Sequence, residues 1–235
     1  MLAEAVRDEL VERNVASIVR GPRIDHEEVR PWSLDEAATF LAAARAHRLS
    51  ALFAVGVAVG LRRGELLALA WDDVDLDGGI LRVRRTVQRL RGQGLVFGPP
   101  KSSRSRRSIP LPESSRAALQ SHRERQEVER LTAGDSWQES GLVFTTSVGT
   151  VVEPRNLSRI FEHLVQESGV RRIRFHDLRH TCASLLLAQG VSPRVVMDVL
   201  GHSQLSITMD LYSHVMPSAL RDAADAMDRA LSGGR

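Results

Sequence analysis

The sequence predicts a mainly α-helical domain with a small antiparallel β-sheet, an α+β arrangement. Three observations predict it. Apolar residues recur at helical spacing over most of the chain, while Ile80–Leu90 is rich in β-branched residues and Ser105–Leu111 reads as a second short strand. An apolar content of 43% in 235 residues is enough for one sizeable core. The longest apolar run, Ala51 to Leu61, is too short to cross a bilayer and ends at Arg62 and Arg63. Charges recur through Met1–Arg20, which argues against a signal peptide. The single cysteine, Cys182, excludes an internal disulfide and suits a reducing cytosol.

Ala3 to Val19 reads as a helix with apolar positions at Ala5, Val6, Leu10, Val15 and Ile18, but it has no partner helices. Gly21, Pro22 and Pro31 punctuate the connector that follows, so residues 1–30 read as a terminal helix and linker and 31–235 as the main domain. Ser33 and Glu36 form a capping-box pattern that opens a helix to about His47. Further helices are expected over Ser50–Gly60 and Arg63–Ala70. Asp77, Gly78 and Gly79 make a turn, Ile80–Leu90 is one strand or a hairpin, and Gly92 to Pro100 reads as a loop before Lys101. Ser105–Leu111 is a second strand. The remainder reads as helices over Glu113–Leu131, Pro154–Glu167, His176–Gln189, Pro193–Leu200, Ser206–Ser213 and Ser218–Leu231.

Of 32 basic side chains every one except Lys101 is arginine, and Tyr212 is the single tyrosine. Arginine stays charged at any workable pH, whereas a lysine ammonium can protonate a leaving group, and a phenol can act as a nucleophile. The net charge of +3 is unevenly placed. No acidic residue falls between Leu81 and Arg107, a stretch that holds Arg82, Arg84, Arg85, Arg89, Arg91, Lys101, Arg104, Arg106 and Arg107. Such a block is the footprint of a polyanion partner; a solvated, arginine-biased loop is the plainer alternative. Arg82, Arg84, Arg85, Arg104, Arg106 and Arg107 are therefore the expected contacts to that polyanion.

Gly60-Leu61-Arg62-Arg63-Gly64-Glu65 stands at a helix junction, His176-Asp177-Leu178-Arg179-His180 opens a helix, and Leu200-Gly201-His202 closes another. Tyr212 follows ten residues after His202, within Thr208-Met209-Asp210-Leu211-Tyr212-Ser213-His214. With Pro99-Pro100-Lys101 and Arg106-Arg107-Ser108-Ile109-Pro110-Leu111 between them, these blocks resemble the catalytic domain of the tyrosine recombinases, the phage integrase family, over roughly Pro31 to Pro217. The His-to-Tyr spacing is similar to that of integrases from temperate phages and integrative elements; chromosome-dimer resolvases usually place the tyrosine one residue closer.

The resemblance implies a DNA breaking-rejoining fold and site-specific recombination through a 3′-phosphotyrosine. It assigns catalysis to Arg62, Lys101, His176, Arg179, His202 and Tyr212, with Glu65 in support. The chemistry suits these residue types: two guanidinium forks for the charge of a pentavalent phosphate, imidazoles to donate hydrogen bonds or accept the phenol proton, and Lys101 to protonate the departing 5′ oxygen. It implies no cofactor and no metal. The implied partners are duplex DNA with inverted core-type sites, three further copies on that DNA from a monomer when free, and DNA-bending or directionality factors, at the nucleoid in the cytoplasm. It also implies that residues 1–30 are the end of a core-binding domain and that the helix over 218–231 docks on a neighbouring protomer; packing of its apolar stripe on its own domain is the alternative.

Other readings share these residues. A chromosome-dimer-resolution recombinase and a truncated relic that only binds DNA share the motifs. His176 and His180, four apart on one helical face, superficially resemble a zinc-protease motif, but Asp177 replaces the glutamate such a site needs and Arg179 would set a positive charge beside the metal.

Overall fold

The structure, a computed structural model, describes residues 2–17, 30–100, 105–201, 225, 227–228 and 231–232. The chain divides into two units, Met1–Arg30 and Pro31–Arg235. In the first, α1 covers only Leu2–Arg7, Glu9 has φ +56°, and a single 3-10 turn follows at Val15–Ser17. The helix expected over Ala3–Val19 is thus much shorter. Leu10, Val11 and Val15 are exposed, and a helix of this length holds in water only when an apolar face is packed.

The second unit opens on Trp32, buried, whose indole N–H donates to the Arg171 carbonyl at 2.7 Å. α2 (Leu34–Ala43) starts with the expected capping box: the Glu36 amide donates to Ser33 Oγ, and the Ser33 amide donates to the Glu36 carboxylate. α3 (Ser50–Val59) is apolar all round and is the central helix of the fold. Its Phe53 joins Trp32, Phe40, Phe161 and Phe175 in one aromatic cluster, with Trp32 and Phe40 centroids 4.9 Å apart. α4 (Arg63–Leu67) follows after a short bend.

Three strands, β1 (Val74–Asp75), β2 (Ile80–Val83) and β5 (Arg107–Pro110), form an antiparallel sheet in the order β1-β2-β5, with Leu81 opposite Ile109. Between β2 and β5 the chain leaves for a separate hairpin, β3 (Thr86–Leu90) and β4 (Gly94–Gly98), with Val87 opposite Phe97. Two expectations are corrected here. Ile80–Leu90 is two strands belonging to different sheets, broken at Arg84–Arg85, and the loop expected over 92–100 contains a strand. The apolar run Leu95-Val96-Phe97 pairs as a strand although glycines flank it.

The remaining helices are α5 (Glu113–Ala133), α6 (Pro154–Ser168), α7 (Asp177–Ala188) and α8 (Pro193–Leu200). α5 and α7 pack on α3, and α8 packs on α7. The helix expected over Ser206–Ser213 lies outside the described residues. Within the one expected over Ser218–Leu231, the described Asp225, Met227, Asp228 and Leu231 are helical.

Candidate active site

Three helix ends converge on one place. α3 terminates at Gly60 with φ +66°, where an added Cβ would stand 2.4 Å from Leu200 Cδ2, so glycine lets α8 come this close. Two residues later Arg62 caps the start of α4, and the Glu65 carboxylate reaches back to its amide at 3.1 Å. α7 begins just after His176 and carries Arg179 on its buried side.

The C-terminus of α8 supplies the anchor. The last carbonyls of a helix have no intrahelical partner and carry its negative end. Here three consecutive ones each accept from a different arginine: Val199 from Arg107 Nε at 2.7 Å, Leu200 from Arg179 Nη2 at 2.6 Å, and Gly201 from Arg62 Nη2 at 3.2 Å. Arg179 Nη1 also donates to the Gly60 carbonyl at 2.8 Å, so one guanidinium bridges the ends of α3 and α8.

Glu65 links two of these arginines. Its Oε1 accepts from Arg62 Nη1 at 2.8 Å and its Oε2 from Arg107 Nη2 at 3.1 Å. Burial pushes this carboxyl up, but Arg107 and Arg62 outweigh burial and hold it below the ordinary carboxylate range. Arg179 is pushed down to about 9, first by burial and then by repulsion from Arg62, and is still cationic at pH 7. His176 is pulled down to about 4 by partial desolvation, then by His180, Arg179 and Arg62. Its surface is nonetheless exposed, so the direction, a neutral imidazole, is what the chemistry can use.

Of the expected catalytic residues, Arg62, His176 and Arg179 come together, with Glu65 behind them. Lys101, His202 and Tyr212, like Arg104, lie outside the described residues. Ser105, four residues after Lys101, is buried and its Oγ stands 3.4 Å from Arg62 Nη1; Gly201, bonded to Arg62, precedes His202.

The one-sign arginine block is compensated in space by acids from other segments. Arg84 and Arg85 face the buried Asp73 at 3.5 and 3.2 Å, Arg82 stands 4.0 Å from Asp75, and Arg89 pairs with Glu153. Arg107 is turned inward. Expected to contact DNA, its side chain is 7% exposed and all its nitrogens donate inward, the third to the Ser105 carbonyl at 2.9 Å. It shares the inward face of β5 with Ile109, a period-two signal already present in the sequence. Arg91 and Arg106 are exposed without an ion pair among the described residues. Sequence reasoning passed over Arg155 and Arg159 on the outer face of α6, and Arg63 of α4, which donates to Ser158 Oγ at 2.8 Å. Among the described residues no three His, Cys, Asp or Glu side chains gather as a metal site, and no helix is long and apolar enough to cross a membrane. Asp177 is taken by Arg174 at 2.9 Å.

The family model for the phage integrases matches residues 31–218. The chain belongs to the phage integrase family. This integrase-family chain is 35% identical over 212 residues to a "Tyrosine recombinase XerC-like" protein of Caldanaerobacter subterraneus, covering 86% of this chain and 54% of the relative. It is 29% identical over 277 residues to an "Integrase" of Saccharopolyspora erythraea, covering 96% of this chain and 63% of the relative. It therefore spans less than two thirds of either relative. The Tn1549 transposon integrase, solved in complex with transposon right end DNA, shares the fold at a TM-score of 0.77 and 19% identity, over 96% of this chain and 75% of that one. The family is that of the tyrosine recombinases, enzymes that transfer DNA strands, and the mainly α fold with a small antiparallel sheet is that of their catalytic domain.

Proposed function

We propose that this chain is the catalytic part of a site-specific tyrosine recombinase that integrates or excises a phage or integrative element. The observation that carries the reading is the pairing of Arg62 and Arg179 at the joined ends of α3 and α8, two mutually repelling guanidiniums beside a neutral imidazole. Such a site is short of an anion, and a scissile phosphate supplies one whose charge grows in the transition state.

Tyr212 Oη attacks the phosphorus, its proton passing to an imidazole, His176 or His202. The P–O5′ bond breaks, Lys101 gives a proton to the departing 5′ oxygen, and a 3′-phosphotyrosine remains. The 5′-hydroxyl of a second strand then attacks that ester and releases Tyr212. Bond energy is conserved, so the chemistry calls for neither ATP nor a metal.

Duplex DNA is the substrate in this reading, by analogy with the DNA-bound integrase of the same fold. Inverted core-type sites, four protomers on the DNA, bending or directionality factors and work at the nucleoid belong to the same proposal, as does a core-binding domain ending in residues 1–30. The XerC-like relative favours a second reading, chromosome-dimer resolution, against which the ten-residue step from His202 to Tyr212 counts.

The test uses a nicked duplex carrying the core sequence that this protein selects from a randomised pool. A covalent protein–DNA adduct should form, persist in excess EDTA, and vanish in Tyr212→Phe while DNA binding stays nearly intact. An adduct with the Phe variant refutes the reading, and one lost on chelation and restored by zinc refutes the metal-free chemistry.

A further inference from the structure

We propose that Arg107 is a positioning residue for strand cleavage, holding Arg62 in its working orientation through Glu65 and through the end of α8; this rests on the role given to Arg62 above. The backbone of β5 turns Arg107 inward, beside two other guanidiniums that repel it. For stability alone a matched apolar pair in place of Arg107 and the buried Glu65 would serve as well or better, because burying two charges costs solvation that their attraction seldom restores in full. What a guanidinium offers instead is a planar fork with donors in fixed directions, which neither lysine nor an apolar group can imitate.

Each of those donors ends on a different segment of the site. Nη2 holds Glu65 Oε2 at 3.1 Å, and the other oxygen of Glu65 holds Arg62 Nη1 at 2.8 Å. Nε holds the Val199 carbonyl at 2.7 Å, two residues before Gly201, whose carbonyl accepts from Arg62. Nη1 holds the Ser105 carbonyl at 2.9 Å, and the hydroxyl of the same serine lies 3.4 Å from Arg62. All three acceptors of Arg107 thus lead to Arg62. Arg62 is held on its Nη1 and Nη2 side, while its Nε makes no hydrogen bond among the described residues and its side chain is 32% exposed. Arg107 leaves that edge for the phosphate and fixes where it points.

The test compares single-turnover cleavage, at saturating protein, of the selected nicked duplex with an ordinary scissile phosphate and with a methylphosphonate there. The methylphosphonate lacks one negative charge, so a missing or misdirected guanidinium matters less to it. Arg62→Ala should lose on the order of 100-fold on the phosphodiester and much less on the methylphosphonate. Arg107→Gln should shift the ratio of the two rates in the same direction by about tenfold, with DNA affinity within about twofold of the parent. Arg107→Lys keeps the buried charge but not the fork; it should show the same shift and decides the matter if the Gln variant does not fold. Equal losses on both substrates, or an unchanged ratio in the folded variant, would make Arg107 a fold element only and overturn the proposal. An adduct that survives Tyr212→Phe would instead overturn the recombinase reading, and a ratio unmoved by Arg62→Ala would overturn the role of Arg62 and this proposal with it.

Discussion

The rings of His176 and His180, one turn apart at the start of α7, meet edge to face with centroids 5.6 Å apart. His180 thereby adds to what keeps His176 from charging. Partial desolvation is the larger cause for His176, and Arg179 and Arg62 add to it against the opposing pull of Asp177, giving about 4. A histidine whose folded value lies below its ordinary 6.5 favours the fold fully above 6.5, and that contribution is lost as pH falls from 6.5 towards 4. The expected outcome is a His176 ring-proton titration well below 6.5 by NMR in the free protein, moving upward when duplex DNA brings a phosphate beside it. His176→Asn should remove part of the stability loss over the same acid window. A midpoint at or above 6.5 without DNA would contradict the arrangement.

Lys101 separates proton donation from charge. Lys101→Arg keeps the cation but gives up a proton far less readily, so it should cleave nearly as poorly as Lys101→Ala on ordinary DNA, on the order of 100-fold below the parent. A 5′-bridging sulfur leaves without needing that proton, and both variants should recover on it. Full activity of Lys101→Arg on ordinary DNA would reduce Lys101 to a charge.

Much of this was readable in advance, and the rest was not, for physical reasons. Ser33 with Glu36 and the run Ala51 to Val59 carry local and periodic signals that survive into the fold as the capped α2 and the buried α3. Arg62, His176 and Arg179 were recognisable because their spacing carries the motif. The three carbonyls of Val199, Leu200 and Gly201 that anchor the arginines have no sequence signature, since every residue offers a backbone acceptor. Charge along the chain does not reveal that Arg107 turns inward; its alternation with Ile109 sets that once β5 forms. Leu10 and Val15, at helical spacing in the expected stripe, are both exposed, and spacing alone does not hold a helix.

The arginines of the block divide into two kinds by what their removal should change. Arg91 and Arg106 have no ion pair among the described residues, so replacing both by alanine should lower the slope of log affinity against log salt by about two if each meets a phosphate. Arg84→Ala with Arg85→Ala should act mainly on the fold, because it strips the buried Asp73 of both cations, at a cost on the order of 1–3 kcal/mol in urea unfolding. A steep slope that survives loss of Arg91 and Arg106 would place the DNA over other arginines, with Arg63, Arg155 and Arg159 the next to replace.

Gly64 is where the β3–β4 hairpin meets α4. A Cβ added there would stand 2.5 Å from Thr86 Oγ1 and 2.6 Å from the Val87 carbonyl oxygen. The hydroxyl can rotate away. The carbonyl belongs to the backbone of β3, so the hairpin itself must move. Alanine gains about 1 kcal/mol of helix propensity over glycine, but overpacking against a fixed atom costs about 1–3 kcal/mol, so Gly64→Ala should be destabilising on balance. The strand that must shift runs through β4 and Pro99-Pro100 directly into Lys101. Cleavage of ordinary DNA should therefore fall more than stability alone explains, and the 5′-sulfur substrate should recover part of it, as expected for Lys101→Ala. Urea unfolding and the ratio of rates on the two substrates read both effects. An alanine variant as stable as the parent would show that β3 yields at no cost, and one that is destabilised with an unchanged rate ratio would show that the hairpin does not place Lys101.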